Sequence, residues 1–194
     1  MYPTKSVLAE KETMEKSVYP SKHDTAIEGG KERAMHPTKN NMPENARIQI
    51  AALLQERLVD SIDLMLQAKQ AHWNVKGPSF IALHELFDKV AEDVETHVDL
   101  IAERIVQLGG IAVGTLGPVG KKSDLPVYPV TISGGKEHVA ALSHALAYFG
   151  ESVREAIEQA NGLKDAGTAD ILTQISRATD KYLWFVEAQG QAAN

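Results

Sequence analysis

Four residues of this chain have the types and spacing to bind a metal ion: His72, His84, Asp99 and Glu103. Imidazole and carboxylate groups are ligands for iron, manganese or zinc. The 194 residues include no cysteine, which excludes thiolate sites and disulfides. His84 and Asp99 both fall in the stretch 79–108, which reads as one helix, and they lie fifteen residues apart. At ~1.5 Å of rise per residue this is roughly 22 Å along the axis. A metal–ligand bond is only about 2 Å, so the two cannot share an ion within one molecule. If they share one, a second copy must run antiparallel alongside and bring its Asp99 to this His84. The spacing thus ties a metal site to a symmetric dimer.

On a helical wheel, His84, Asp88, Glu95, Asp99 and Glu103 form a stripe beside the apolar one, with no lysine among them. Clustered carboxylates repel one another unless a cation or solvent relieves them. The two readings are metal ligation and a solvated acidic face. His72 continues the apolar face of the preceding helix and is either a ligand or a hydrogen-bonded core residue. Trp73 reads most simply as a large core filler, and alternatively as an oxidisable ring beside the metal. Asp88, one turn after His84, suits binding through water or orienting a ligand. His97 points to the core side and reads as structural. His138 and His144 have no partner in the sequence.

The elements that must position these groups are helices. From Asn45, Ala51, Leu54, Leu58, Ile62 and Met65 step by three or four, giving a first helix to about Asn74, ahead of Gly77-Pro78. Ser79 is a suitable cap for the second. That helix has the stripe Phe80, Leu83, Phe87, Val90, Val94, Val98, Ile101, Ile105 and Leu108, and stops at Gly109-Gly110. Glycines and prolines through 109–135 exclude a long helix there. A third helix carries Val139, Leu142, Leu146, Phe149, Val153, Ile157 and Ala160. A fourth begins near Thr168 with Ile171, Ile175, Ala178, Tyr182 and Phe185. Two helices, a long crossover and two more helices is the connectivity of an all-α, ferritin-like four-helix bundle, with the crossover between helices two and three.

Net charge is −6. Residues 1–45 hold seven basic and seven acidic residues, so the rest of the chain carries the whole −6. An acidic body attracts metal cations and repels a nucleic-acid backbone. Residues 1–45 are Lys-, Glu-, Pro- and Thr-rich and read as a disordered tail. Within it, Tyr2-Pro3-Thr4-Lys5, Tyr19-Pro20-Ser21-Lys22 and His36-Pro37-Thr38-Lys39 recur with a period of 17. The arm is either a multivalent docking element or a neutral spacer. The expected layout is this tail, a bundle over 46–188 and a short C-terminal tail, 189–194. No apolar run approaches the length of a membrane span, and the N-terminus lacks a secretory apolar core. A cytoplasmic location is expected, nucleoid-associated only if DNA is bound.

The stretch Gln70-Ala71-His72-Trp73-Asn74-Val75-Lys76-Gly77-Pro78-Ser79-Phe80, followed by Leu83-His84-Glu85-Leu86-Phe87-Asp88, closely resembles the Dps family (DNA-binding protein from starved cells). So do Asp99-Leu100-Ile101-Ala102-Glu103-Arg104, Gln107-Leu108-Gly109-Gly110, Thr168-Ala169-Asp170-Ile171-Leu172-Thr173 and Asp180-Lys181-Tyr182-Leu183-Trp184-Phe185. The resemblance covers about 46–188. It implies a dinuclear ferroxidase centre between two-fold-related subunits. His72, His84, Asp99 and Glu103 would be its ligands and Asp88 the auxiliary aspartate. It further implies a homododecamer built from such dimers, which oxidises Fe(II) with hydrogen peroxide or O2 and stores ferric mineral, with zinc as a competing ion. Asp165 and Asp170, in the turn before the fourth helix, are candidates for an acidic three-fold pore. A DNA-compacting particle with a secondary metal site is the alternative. The neutral tail predicts weak or absent DNA binding at neutral pH. A non-ferritin four-helix scaffold that keeps these residues for packing is a third reading.

Overall fold

A computed structural model describes residues 35–191. The first two tail repeats, at Tyr2 and Tyr19, lie outside the described residues. The elements are α1 (Glu44–Asn74), α2 (Phe80–Gln107), a short α3 (Leu116–Lys122), α4 (Gly135–Gly162) and α5 (Ala166–Ala188). Short turns fold α1 against α2, and α4 against α5, as antiparallel hairpins. The bundle closes where α1 packs on α4 and α2 on α5. Among the described residues there is no strand, only an isolated parallel bridge between Lys76 and Gly134. The four long helices and the crossover between the second and third are those the pattern predicted, with α3 added inside the crossover. No helix among the described residues is long and apolar enough to cross a membrane.

The core follows the apolar stripes. Leu54, Leu58, Phe87, Ile101, Ile105, Leu142, Leu146, Phe149 and Leu172 are fully buried, each contributing about 1.5–3 kcal/mol by leaving water. Three expectations need correction. Phe80 is 38% exposed, because it opens α2 beside the turn rather than within the stack. Ser79 stands at the N-cap of α2, but its side chain makes no capping hydrogen bond. On α5 the buried line is Leu172, Ile175, Ser176, Thr179 and Val186. Of the predicted line, Ile175 is buried and Ile171 and Tyr182 pack against the core, while Phe185 is left 36% exposed. The buried line includes Ser176 and Thr179, which an apolar period does not mark.

The crossover is held along α1 by a ladder of polar side chains. Gln55 accepts from the Val113 N–H and donates to the Val113 carbonyl, both at 2.9 Å. Asp60 Oδ1 accepts from the Asp124 N–H at 3.0 Å, and Asp63 Oδ2 from the Ser123 hydroxyl at 2.6 Å. Gln67 Nε2 donates to the Pro126 carbonyl at 3.1 Å. From Gln55 to Gln67 the rungs span ~18 Å of helix. The last rung is the Lys76 N–H to the Ser133 carbonyl, at 2.8 Å. The chain is thus carried from the end of α2 back to the α1–α2 turn, and α4 starts beside that turn.

Residues 35–43, within the predicted tail, are non-helical but lie on the bundle. The His36 N–H donates to the Gly109 carbonyl at 2.8 Å. Arg47 Nη1 donates to the Leu108 carbonyl at 2.8 Å, and Met35 and Met42 pack against the core. Gly109 has φ +92°, and a Cβ there would stand 2.6 Å from the His36 carbonyl oxygen. Glycine is therefore required both by the backbone and by the approach of the segment.

Candidate metal centre

His72 lies in the last turn of α1 and His84 near the start of α2. The antiparallel turn between them sets the two rings face to face, with centroids 3.7 Å apart and planes at 22°. His72 Nδ1 lies 2.8 Å from the His84 carbonyl oxygen, and His84 Nδ1 lies 2.8 Å from that of His72. A carbonyl oxygen only accepts, so both Nδ1 atoms carry the proton. This fixes one tautomer on both rings and leaves each Nε2 with a lone pair for an electrophile. The His72 carbonyl is one of the four that α1 cannot satisfy at its own C-terminus. His84 therefore caps α1 while α1 orients His84.

Asp88 stands one turn beyond. Its Oδ1 accepts from Lys69 Nζ at 2.5 Å and lies 3.8 Å from His72 Nδ1. The Lys69 hydrogen bond, more than any other influence, holds the Asp88 carboxyl below the usual range. Nothing in the sequence pattern singles out Lys69, although three residues before His72 is the spacing of a shared helix face. Trp73 is 63% exposed, so the core-filler reading is wrong within this chain: its ring lies at the surface beside His72. Phe80 brings its ring centroid within 5.0 Å of that of His84.

Asp99 and Glu103 are exposed on the far part of α2. Glu103 lines an open groove of about 470 Å³ with Ala102, Val106, Gln107 and Ala112. Among the described residues, no three histidine or carboxylate side chains converge to hold a metal. One chain brings His72 and His84 together near the α1–α2 turn, with Asp88 3.8 Å from His72 Nδ1, and keeps Asp99 and Glu103 apart from them on a continuous helix.

The turn before α5 differs from its reading as a pore. Asp165 is only 3% exposed. Its Oδ1 accepts from the Thr168 N–H at 3.0 Å and from Arg104 Nη2 at 2.8 Å; its Oδ2 accepts from the Thr168 hydroxyl at 2.5 Å. Burial alone would raise its pKa, but these partners bring it below the usual carboxylate value. Asp165 therefore caps α5 and pairs with Arg104, with neither oxygen open to a passing ion. Asp170 is exposed. His97 is buried as expected, with its nearest acid, Asp93, at 3.8 Å.

A ferritin-like domain model matches residues 51–193. A curated relative, DNA protection during starvation protein of Agrobacterium fabrum, is 46% identical over 156 residues, covering 80% of this chain and 96% of its own. The protein of the same name from Mycolicibacterium smegmatis is 38% identical, covering 74% of this chain and 78% of its own. Among solved structures, Mycobacterium smegmatis Dps in its tetragonal form superposes with a TM-score of 0.76 at 34% identity, covering 81% and 99% of the two chains. DpsA14 from Streptomyces coelicolor gives 0.77 at 34%, covering 82% and 95%. With the imidazole pair in the α1–α2 turn and the long crossover already in place, these matches show that the chain belongs to the Dps family of the ferritin-like superfamily.

Proposed function

We propose that this protein oxidises Fe(II), with hydrogen peroxide or O2 as acceptor, at dinuclear sites shared by two copies. The ferric product is stored as mineral inside a cage of twelve subunits assembled from two-fold dimers. Iron is both substrate and cargo. Family membership supports iron storage and protection. The observation that carries the finer reading is the reciprocal His72–His84 clasp, which readies two Nε2 lone pairs at one end of α2 while Asp99 stands ~22 Å along the same helix and Glu103 one turn further. That arrangement is half of a site at each end, and an antiparallel second copy completes both.

In this reading His72 and His84 supply neutral nitrogen donors, and Asp99 and Glu103 of the second copy supply negative charge. Asp88, anchored by Lys69, binds or orients through water. Two Fe(II) give the two electrons that reduce one hydrogen peroxide to two waters, so no hydroxyl radical is released. The protein contributes geometry and charge to this chemistry. Trp73 is an oxidisable ring at the rim. Zinc suits the same ligands and competes. Asp170 is the remaining candidate for ion entry, with Asp165 committed to its cap. The proposed location is the cytoplasm.

Stopped-flow Fe(II) oxidation, first with O2 and then with peroxide, tests the proposal. Oxidation faster than buffer, inhibited by zinc and lost in His72→Ala and His84→Ala, is expected. Oxidation at the buffer rate overturns it. A DNA-compacting role is the second reading, favoured by the name the relatives carry and opposed by the acidic body.

A further inference from the structure

One buried titratable pair takes no part in the site above. Tyr128, from the crossover, and His138, from the first turn of α4, meet with Oη 2.7 Å from His138 Nδ1. Both are buried, His138 to 1% exposure. His138 Nε2 makes no hydrogen bond of good geometry, yet the Asn74 and Ile132 backbones lie near enough to favour a proton on the ring. Burial opposes that proton and pushes the Tyr128 hydroxyl well above its ordinary value. The phenol therefore does not ionise on its own. A phenol that loses an electron becomes a strong acid, and a proton acceptor stands within hydrogen-bond reach.

The pair also adjoins the candidate centre. The Phe87 ring centroid is 6.4 Å from that of His138, and Phe87 follows His84 by less than one turn of α2. Asn74, beside His138, is two residues from His72. Lys76 is tied to Ser133, in the stretch that links Tyr128 to His138.

We propose that Tyr128, with His138 as its proton acceptor, donates one electron to the iron-oxidising site when only one Fe(II) is bound. This rests on the proposed function. One Fe(II) gives one electron, whereas reduction of hydrogen peroxide to two waters needs two. Tyr128 supplies the second. One electron leaves the phenol for peroxide, and its proton moves from Oη to His138 Nδ1. Two solvent protons complete the waters. The products are one Fe(III), a neutral tyrosyl radical, a protonated His138 and two waters, in place of a hydroxyl radical. A later Fe(II) or another reductant returns the electron, and His138 returns the proton.

The test uses the full-length protein with less than one Fe(II) per centre, mixed with hydrogen peroxide and freeze-quenched for electron paramagnetic resonance, with a spin trap in a parallel sample. A tyrosyl signal is expected in the wild type, narrowed by ring-deuterated tyrosine. Tyr128→Phe should abolish it and raise trapped hydroxyl radical, and His138→Gln should reduce it several-fold. With two Fe(II) per centre, all three proteins should oxidise iron at the same rate. An unchanged signal in Tyr128→Phe, or a wild type that oxidises iron without any tyrosyl signal, overturns the assignment. A wild type that oxidises no iron overturns the underlying function instead. The isotope result on wild-type protein needs no substitution and stands whether or not a variant folds.

Discussion

His72 and His84 hold each other: the Nδ1 of each ring is 2.8 Å from the other residue's carbonyl oxygen, and the rings stack at 3.7 Å. Each ring is fastened to the other residue's backbone, so turning either one breaks its own hydrogen bond and the stack. In the proposed centre the pair would be a preorganised donor set, its tautomer decided before any ion arrives.

The remaining ligands are expected from a second copy, and subunit mixing tests this. His84→Ala and Asp99→Ala proteins should each oxidise Fe(II) at or near the buffer rate. After the two are unfolded and refolded together, random pairing in a two-fold dimer should leave about a quarter of the centres intact, because half the dimers are mixed and each has one good centre. Stopped-flow amplitude measures this. Full activity of Asp99→Ala alone contradicts the shared site.

The crossover is latched by Asp60, which is buried and accepts from both Arg57 Nη2 and the Asp124 N–H, each at 3.0 Å. Asp60→Ala leaves Arg57 buried without its partner and should cost about 3–5 kcal/mol. Urea unfolding gives the loss. Hydrogen exchange should show the Asp124 amide losing protection before the α2 amides do.

Gly109→Ala should release the segment 35–42 while leaving the bundle folded. The new Cβ meets the His36 carbonyl at 2.6 Å and the residue must keep φ +92°, a strain of roughly 1–3 kcal/mol. Faster exchange of the His36 amide and easier proteolysis near residue 40 are the expected readouts. An unchanged His36 exchange rate counts against the docking contact.

Asp165 gives a pH signature. Its folded pKa lies below its unfolded one, so its contribution is present above the unfolded value of about 3.9 and disappears as pH falls through the folded value. Asp165→Ala should therefore cost about 1–3 kcal/mol at pH 7, and the gap from wild type should close below about pH 4. His97 and His138 have the opposite charge change but the same trend. Both are held neutral by burial, so the wild type should lose stability as pH falls below about 6.5. Thermal melts at a series of pH values check both.

DNA retention should be weak or absent at pH 7–8 and ~150 mM salt, where the phosphate term is largely screened. Residues 1–45 sum to zero charge and the rest of the chain is at −6. Twelve tails would multiply a contact that is itself near neutral. A gel shift showing tight complexes under these conditions, lost on deleting residues 1–45, would establish that the repeated Pro-Thr/Ser-Lys units act locally.

The sequence by itself determined the four helices, the crossover and the separation of His84 from Asp99 along one helix. A 3.6-residue period written in Leu, Ile, Val and Phe is a local property, and a rigid helix converts the His84–Asp99 spacing into a distance without further information. What the tertiary structure decided is what depends on neighbours remote in the chain. Trp73, large and apolar, reads most simply as core and proves exposed, and α5 buries Ser176 and Thr179 while leaving Phe185 exposed. Composition marks a side chain as suited to burial but does not name the surface that covers it. Asp165 caps α5 locally through Thr168, but it is also locked into an ion pair because Arg104 approaches from α2, 61 residues away. The tautomer of the two histidines and the meeting of Tyr128 with His138 belong to the same class. Hydrogen bonds form between atoms within about 3 Å, and only the packing of one helix on another brings those atoms that close.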